Sequence, residues 1–131
     1  MKIENIKFKA KRLDNGKWVK GSLIRSTAGI KERAYIVDNF SSMSDYSIIG
    51  IDPETVCQYT GLKDKEGMDI FENDILYDKD SGIASAIKWK RHVCGYVYEK
   101  VGMFATVHVY ACHTGFLKII GNKFDRKEGE K

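Results

Sequence analysis

The acidic stretch around residue 70 is the first place where residue types and spacing could do chemistry. Asp69, Glu72 and Asp74 lie within one short segment, and carboxylate oxygens are the ligands that hard divalent cations prefer. A metal held there could activate water for metal-assisted hydrolysis of a phosphodiester. The spacing lacks the regularity of calcium-binding loops, and no general base or nucleophile is adjacent. We therefore expect these acids to be structural.

Histidine and cysteine side chains form a second group of candidate ligands. His92 with Cys94, and His108 with Cys112, would each share one strand face and could contribute to a tetrahedral zinc site. Neither pair has the tight knuckle spacing of structural zinc ligands, and buried cysteine usually behaves as a small hydrophobe. The chain also lacks the local motifs of hydrolases and phosphate-binding loops. We therefore expect no metal, no cofactor and no enzymatic activity.

Lysines and an aromatic residue near the amino terminus form a third group, one suited to binding. Lys7, Lys9 and Lys11 alternate with apolar residues, and Trp18 and Lys20 follow on the next predicted strand. Such a stripe could bind nucleic-acid phosphates through counterion release and bases through stacking. The same lysines could instead protect an outer strand from edge-to-edge aggregation. The sequence leaves both interpretations open.

The distribution of charge points to the same classes of partner. The formal net charge is +4, but residues 1–33 and 81–131 are basic while residues 52–80 are acidic. The basic end of one copy could therefore meet the acidic middle of another. We expect the partner to be a second copy, another protein or nucleic acid, and not a membrane.

Short strands and tight turns are the elements that must position these groups. Residues 6–24 alternate around Asn15-Gly16, the pattern of a β-hairpin. Further short strands follow, with turn signals at intervals typical of a barrel or sandwich. We predict an all-β fold of short antiparallel strands with a barrel-like core and at most one or two helical turns. It would form one domain over residues 1–131, or two lobes divided near residue 74, with residues 126–131 frayed.

Cysteine usage and hydropathy indicate the compartment. The three cysteines are an odd number, and no apolar run is long enough for a signal peptide or a membrane span. We expect free thiols in the reducing cytoplasm of a bacterial host.

The segment 55–76 reads TVCQYTGLKDKEGMDIFENDIL and resembles the signature of the YopX-like family of phage and prophage proteins. The runs KFKAKRLDNGKWVKG (7–21) and IIGNKFD (119–125) resemble that family's opening hairpin and closing motif. Cys57 and Asn73 stand where the family commonly has glycine, and asparagine can adopt the positive φ that glycine allows. The resemblance implies a β-rich, barrel-like fold and a bacterial or phage genome, without an activity. The matching signature residues, expected to be structural, are Thr55, Val56, Gln58, Tyr59, Thr60, Gly61, Leu62, Asp64, Gly67, Asp74, Gly121 and Asn122.

Together these observations predict a non-enzymatic accessory protein of a phage or prophage that works by binding or assembly. One alternative is a nucleic-acid-binding protein that uses the basic hairpin. The other is a metal-assisted hydrolase that uses the acidic segment 69–74. Within the signature, we expect Asp64 and Asp74 to accept backbone N–H bonds that hold the loop.

Overall fold

A computed structural model of the chain describes residues 2–29, 31–100, 106–108 and 114–125. Antiparallel strands make up most of this part of the chain, which confirms the all-β prediction. Short 3₁₀ turns cover Ile3–Asn5, Pro53–Thr55 and Arg91–Val93. No helix in these ranges has the length and apolar character needed to cross a bilayer. In chain order the strands are β1 Phe8–Lys11, β2 Trp18–Ser26, β3 Arg33–Ser42, β4 Asp45–Ile51, β5 Cys57–Lys63, β6 Asp69–Phe71, β7 Asp74–Asp78, β8 Ile83–Lys90, β9 Gly95–Lys100, β10 Thr106–His108 and β11 Lys118–Asn122.

The chain divides into two compact units, an amino-terminal unit Met1–Tyr59 and a carboxy-terminal unit Thr60–Lys131. The division falls within β5, whose first residues pair with β1 in the amino-terminal unit. The later residues of β5 lie beside β6, where the Thr60 hydroxyl donates to the carbonyl oxygen of Ile70 at 2.7 Å. The single family domain with a lobe boundary near residue 74 stays a prediction.

The amino-terminal unit is built on an antiparallel sheet in the order β4-β3-β2-β1-β5. Its first hairpin is confirmed, with Lys11 directly opposite Trp18. Gly16 takes a positive φ of 70° in the turn, and the Asn15 side chain accepts a hydrogen bond from the Lys17 N–H at 2.9 Å. Asn15 itself has no positive φ among the described backbone angles. Gly16 thus supplies the left-handed turn, and Asn15 stabilises it through its side chain.

The amino-terminal core packs against one face of this sheet. Because side chains alternate along a strand, residues between the core positions lie on the opposite face, which we call the outer face. Leu23, Ile49 and Val56 complete the core from partly buried positions. The buried core residues are Ala10, Val19, Ala34, Ile36 and Ile51.

Gly21 lies where β2 passes from its pairing with β1 to its pairing with β3. A Cβ atom at this position would collide with the carbonyl oxygen of Val37 and touch the Ile36 side chain. The two backbones can approach this closely only because the residue has no side chain. Gly21 is therefore required by packing rather than by a turn.

The carboxy-terminal unit contains a five-stranded antiparallel sheet in the order β10-β9-β8-β7-β11. Its core consists of Ile70, Leu76, Ile87 and Tyr98. β5 continues into the signature segment as far as Lys63. Within β5, Gly61 takes a φ of 85°, a conformation that glycine adopts without a steric clash.

The barrel-like core is not confirmed, because neither sheet is closed within the described residues. A single bridge joins Arg12 to Ile51, so the end of β1 touches the end of β4. Two backbone hydrogen bonds flank it: Leu13 N–H donates to the Gly50 carbonyl at 3.1 Å, and Asp52 N–H donates to the Lys11 carbonyl at 2.9 Å. This contact does not extend into a strand ladder.

Candidate functional site

Asp64 holds the tip of the hairpin formed by β5 and β6. Its Oδ1 accepts hydrogen bonds from the backbone N–H groups of Glu66 and Met68, both at 2.9 Å. Its Oδ2 accepts a third from the N–H of Ile119 at 3.1 Å. The Asp64 side chain is buried. One carboxylate therefore shapes its own loop and joins the signature segment to β11.

Asp74 makes a second connection between the same two parts of the chain. Its Oδ2 accepts a hydrogen bond from the Phe71 N–H at 2.8 Å, and its Oδ1 accepts one from Asn122 Nδ2 at 2.8 Å. The same amide nitrogen donates to the Glu72 carbonyl oxygen at 3.3 Å, and Asn122 Oδ1 accepts from the Phe124 N–H at 3.0 Å. Asp74 is 1% exposed. Both acids expected to hold the loop accept backbone N–H bonds.

Asn73 and Gly121 provide the backbone geometry around this connection. Asn73 adopts a φ of 69°, as the replacement of glycine by asparagine predicts. Its N–H donates to the Ile87 carbonyl at 2.7 Å, and its carbonyl accepts from the Lys123 N–H at 2.9 Å. The pairing of β11 with β7 shifts register between Ile119 and Gly121. The closing motif therefore pairs with β7 through a local shift in strand register.

The remaining signature residues in the amino-terminal unit have packing or hydrogen-bonding roles. Thr55 Oγ1 accepts a hydrogen bond from the Lys11 N–H and donates one to the Asp52 carbonyl, both at 2.8 Å. Val56 packs against the core, while Gln58 is exposed and pairs with Phe8. Each of these contacts stabilises the strand or turn that holds the residue.

Four further signature residues lie in the β5–β6 hairpin of the carboxy-terminal unit. Leu62 packs against its core. Gly61 and Gly67 take positive φ values of 85° and 78°. Thr60, described above with its bond to Ile70, joins the two strands. The signature is thus used for architecture in both units.

The acids proposed as metal ligands are engaged with other groups. Asp69 Oδ1 pairs with Lys63 Nζ at 2.6 Å, while both oxygens of Asp74 accept hydrogen bonds as described above. In the part of the chain that the structure describes, no three His, Cys, Asp or Glu side chains are grouped to hold a metal ion. The ligand set that the hydrolase alternative needs is not assembled among these residues.

The expected pairing of His92 with Cys94 on a strand face is wrong. His92 lies in the 3₁₀ turn Arg91–Val93, and Cys94 ends that turn in the left-handed conformation with a φ of 50°. The chain leaves β8 after Lys90, so the period-2 alternation assumed for this segment does not apply. The second pair, His108 with Cys112, falls outside the residues whose side chains are described.

The basic amino-terminal side chains lie beside aromatic rings, as their spacing suggested. The Lys7 ammonium lies 4.5 Å from the centroid of the Tyr59 ring. Lys9 and Lys11 place their ammonium groups 4.7 and 4.9 Å from the Trp18 centroid. These distances are typical of cation–π contacts.

The five residues of the predicted stripe differ in exposure. Lys9 is only 9% exposed, so its charge is mostly packed against the protein. Trp18 and Lys11 are partly buried, and Lys20 is exposed. Because two ammonium groups lie near the Trp18 ring, that ring is occupied by lysine and is a poor platform for a stacked base. Among the four lysines of the stripe, Lys20 is exposed, and Lys7 and Lys11 are partly exposed.

The outer face of the amino-terminal sheet also has an apolar half that sequence reasoning missed. Ile24 is 44% exposed, Tyr46 43% and Ile48 53%. These residues belong to β2 and β4, which lie on either side of β3, so only the strand order brings them onto one surface. By strand register the outer face comprises Lys9, Lys11, Trp18, Lys20, Ser22, Ile24, Ser26, Arg33, Tyr35, Val37, Tyr46, Ile48, Gly50 and the buried Cys57.

A smaller group of bases lies in the carboxy-terminal unit. Burial, and then the nearby charge of Lys123, lower the pKa of Lys88 below its usual value. Lys90 Nζ lies 3.5 Å from a carboxylate oxygen of Glu99. Lys88 is therefore in an environment that disfavours its own charge.

The fold and these contacts define an all-β protein of two compact units, in which Asp64 and Asp74 of the signature hold segments of the carboxy-terminal unit together. A family model described as YopX protein matches residues 7–128. The chain belongs to this family, which confirms the resemblance drawn from its hairpin, signature and closing motif. A comparison with curated proteins finds no match.

Proposed function

We propose that this protein is a non-enzymatic binding module of a phage or prophage, and that it binds single-stranded nucleic acid on the outer face of its amino-terminal sheet. One observation supports the proposal most strongly. Every charged residue that the strand register assigns to this face is basic. Aromatic and aliphatic side chains lie between these bases.

The side chains of the outer face are suited to binding single-stranded nucleic acid. Lys11, Lys20 and Arg33 would contact phosphates, since counterion release makes such contacts favourable. Tyr35 and Tyr46 would contact bases, because base–aromatic stacking contributes about 1–3 kcal/mol per base and tolerates any sequence. A duplex would hide its base faces from these rings.

The way the acidic segment is used supports a non-enzymatic role. Asp69 pairs with Lys63, and Asp74 is bonded to Asn122, so neither is poised to hold a catalytic metal. The hydrolase alternative predicts phosphodiester turnover with Mg²⁺ or Mn²⁺. Turnover by the purified protein that disappears in Glu72→Gln, in a chain that still folds, would refute the non-enzymatic role.

Salt-dependent binding of a labelled oligothymidylate tests the proposal directly. With about three phosphate contacts, the logarithm of the binding constant should fall against the logarithm of salt concentration with a slope of about −2. Lys20→Glu should weaken binding at low salt by roughly tenfold or more, because one attraction becomes a repulsion. Fluorescence anisotropy measures both quantities.

Lys79→Glu is the matched control, since Lys79 is exposed in the carboxy-terminal unit and the change in net charge is the same. Equal affinities for Lys20→Glu and Lys79→Glu would show that the outer face is not the binding surface. Absence of binding at low salt would overturn the proposal. So would self-association through Ile24 and Ile48 in a protein that does not bind the oligonucleotide.

A further inference from the structure

A cavity of about 750 Å³ opens in the amino-terminal unit, beside the start of β3 and the end of β4. Its volume is in the range of small-molecule sites. Tyr35 pairs with Gly50 across these strands, so both belong to the outer face. The Leu13 side chain lies 3.7 Å from the place that a Cβ atom on Gly50 would occupy. A side chain added at Gly50 would therefore meet Leu13 and project into the cavity that Tyr35 also lines.

The cationic part of the cavity wall comes from the residues that lead into β3. Lys31 and Arg33 both line the cavity. Glu32 lies between them in sequence, but its carboxylate pairs with Arg25 Nε at 2.8 Å. Within the described residues, neither Lys31 nor Arg33 forms an ion pair. Lys31 and Arg33 favour an anionic group beside them, while the carboxylates of Glu32, Asp52 and Glu54, which also line the cavity, favour hydrogen-bond donors on the rest of the ligand.

The remaining wall combines apolar surface with hydrogen-bond acceptors. Pro53 and Leu13 provide apolar contacts, and Tyr35 provides a ring. One oxygen of Asp52 is used by the turn, since it accepts the Glu54 N–H at 3.1 Å. The Glu54 side chain is exposed at the mouth of the cavity and could accept a hydrogen bond from an exocyclic amine.

We infer that this cavity is a slot for one nucleotide of the bound strand, with the base beside Tyr35 and Leu13 and the phosphate at Lys31 and Arg33. A ligand with a flat, partly apolar ring and an anionic group matches both walls. The inference rests on the proposed function, because Tyr35 is shared between the slot and the outer face. It adds that one base is engaged individually, whereas the remainder of the face contacts the strand without base selection.

The test uses the full chain and two kinds of ligand. Wild-type protein is titrated with each 5′-mononucleotide by NMR, following the amides of Tyr35 and Gly50, and with the oligothymidylate by anisotropy. Gly50→Val should fill the slot and weaken mononucleotide binding by tenfold or more. Tyr35→Ala should have a similar effect, and Tyr35→Phe should retain binding because it keeps the ring.

Ser47→Val is the control for a β-branched residue in β4, since Ser47 is exposed and does not line the cavity. Mononucleotide binding that is lost in Gly50→Val but kept in Ser47→Val would support the slot. Salt-sensitive oligonucleotide binding by wild type, with no mononucleotide binding and no effect of Gly50→Val, would overturn the slot and leave the proposed function standing. If wild type binds neither ligand, both proposals are wrong.

Discussion

Replacing Asp64 by asparagine should destabilise the carboxy-terminal unit although the side chain barely changes shape. The Asp64 carboxylate accepts three backbone hydrogen bonds, from Glu66, Met68 and Ile119. An amide has one acceptor oxygen, and its nitrogen can only donate. If the oxygen remains at Glu66 and Met68, the amide nitrogen faces the Ile119 N–H, and two donors oppose each other.

The size of the effect follows from the bonds that are lost. A hydrogen bond to a charged group contributes about 1.5–3 kcal/mol, and an unsatisfied buried donor costs a similar amount. We expect Asp64→Asn to lower the free energy of unfolding by about 1.5–3 kcal/mol and Asp64→Ala by roughly twice that. For a chain of this length, each kcal/mol corresponds to roughly 3–5 °C in Tm.

Urea unfolding and hydrogen exchange measure the loss of stability in the carboxy-terminal unit. Trp18 belongs to the amino-terminal unit and Trp89 to the carboxy-terminal unit, so fluorescence of Trp89 in a Trp18→Phe background reports the affected unit. The amide of Ile119 should exchange faster in Asp64→Asn. The exposed Asp80 provides the control Asp80→Asn, which should stay within about 0.5 kcal/mol of the parent.

Two results would contradict this reasoning about Asp64. The first is an unfolding midpoint for Asp64→Asn equal to that of Asp80→Asn. The second is unchanged protection of the Ile119 amide. Either would mean that the carboxylate is not what connects the β5–β6 hairpin to β11.

Two further substitutions test packing and electrostatics. Gly21→Ala should lower the free energy of unfolding by at least about 1–3 kcal/mol because its Cβ meets the Val37 carbonyl oxygen. Gly50→Ala is the control, because a Cβ at Gly50 would make only an ordinary contact. Equal unfolding midpoints for Gly21→Ala and Gly50→Ala would refute the close approach of the backbones at Gly21. Lys88→Gln should raise the midpoint at pH 7, because burial and Lys123 lower the pKa of Lys88 in the folded state and its charge therefore opposes folding. That gain in the unfolding midpoint should shrink as the pH approaches 10.5, the pKa of Lys88 in the unfolded chain. A gain that does not change with pH would show that it has another cause.

Local rules explain which parts of the fold could be predicted. Asn15-Gly16 predicted the first hairpin, and the glycine-to-asparagine replacement at Asn73 predicted its positive φ, because both depend on the backbone preference of one or two residues. The same kind of rule was wrong for His92 and Cys94. Strand alternation was assumed there, but a 3₁₀ turn ends β8 first.

The candidate site could be predicted only in part. Lysine alternation indicated that Lys7, Lys9 and Lys11 share a face, and the cation–π contacts agree with that. Alternation does not reveal that Lys9 is buried. It also does not reveal which strands are neighbours, so the apolar half of the outer face was missed.

By itself, the sequence determined the all-β class, the opening hairpin, the turn-forming glycines and the family. These follow from period-2 patterns and φ preferences, which act over a few residues. Only the tertiary structure decided that Asp64 meets Ile119, 55 positions away, and that Asp74 meets Asn122, 48 positions away. It also decided that Gly50 and Tyr35 line the same cavity. Contacts of this kind depend on strand order and register, which are set by the packing of the whole unit rather than by any local segment.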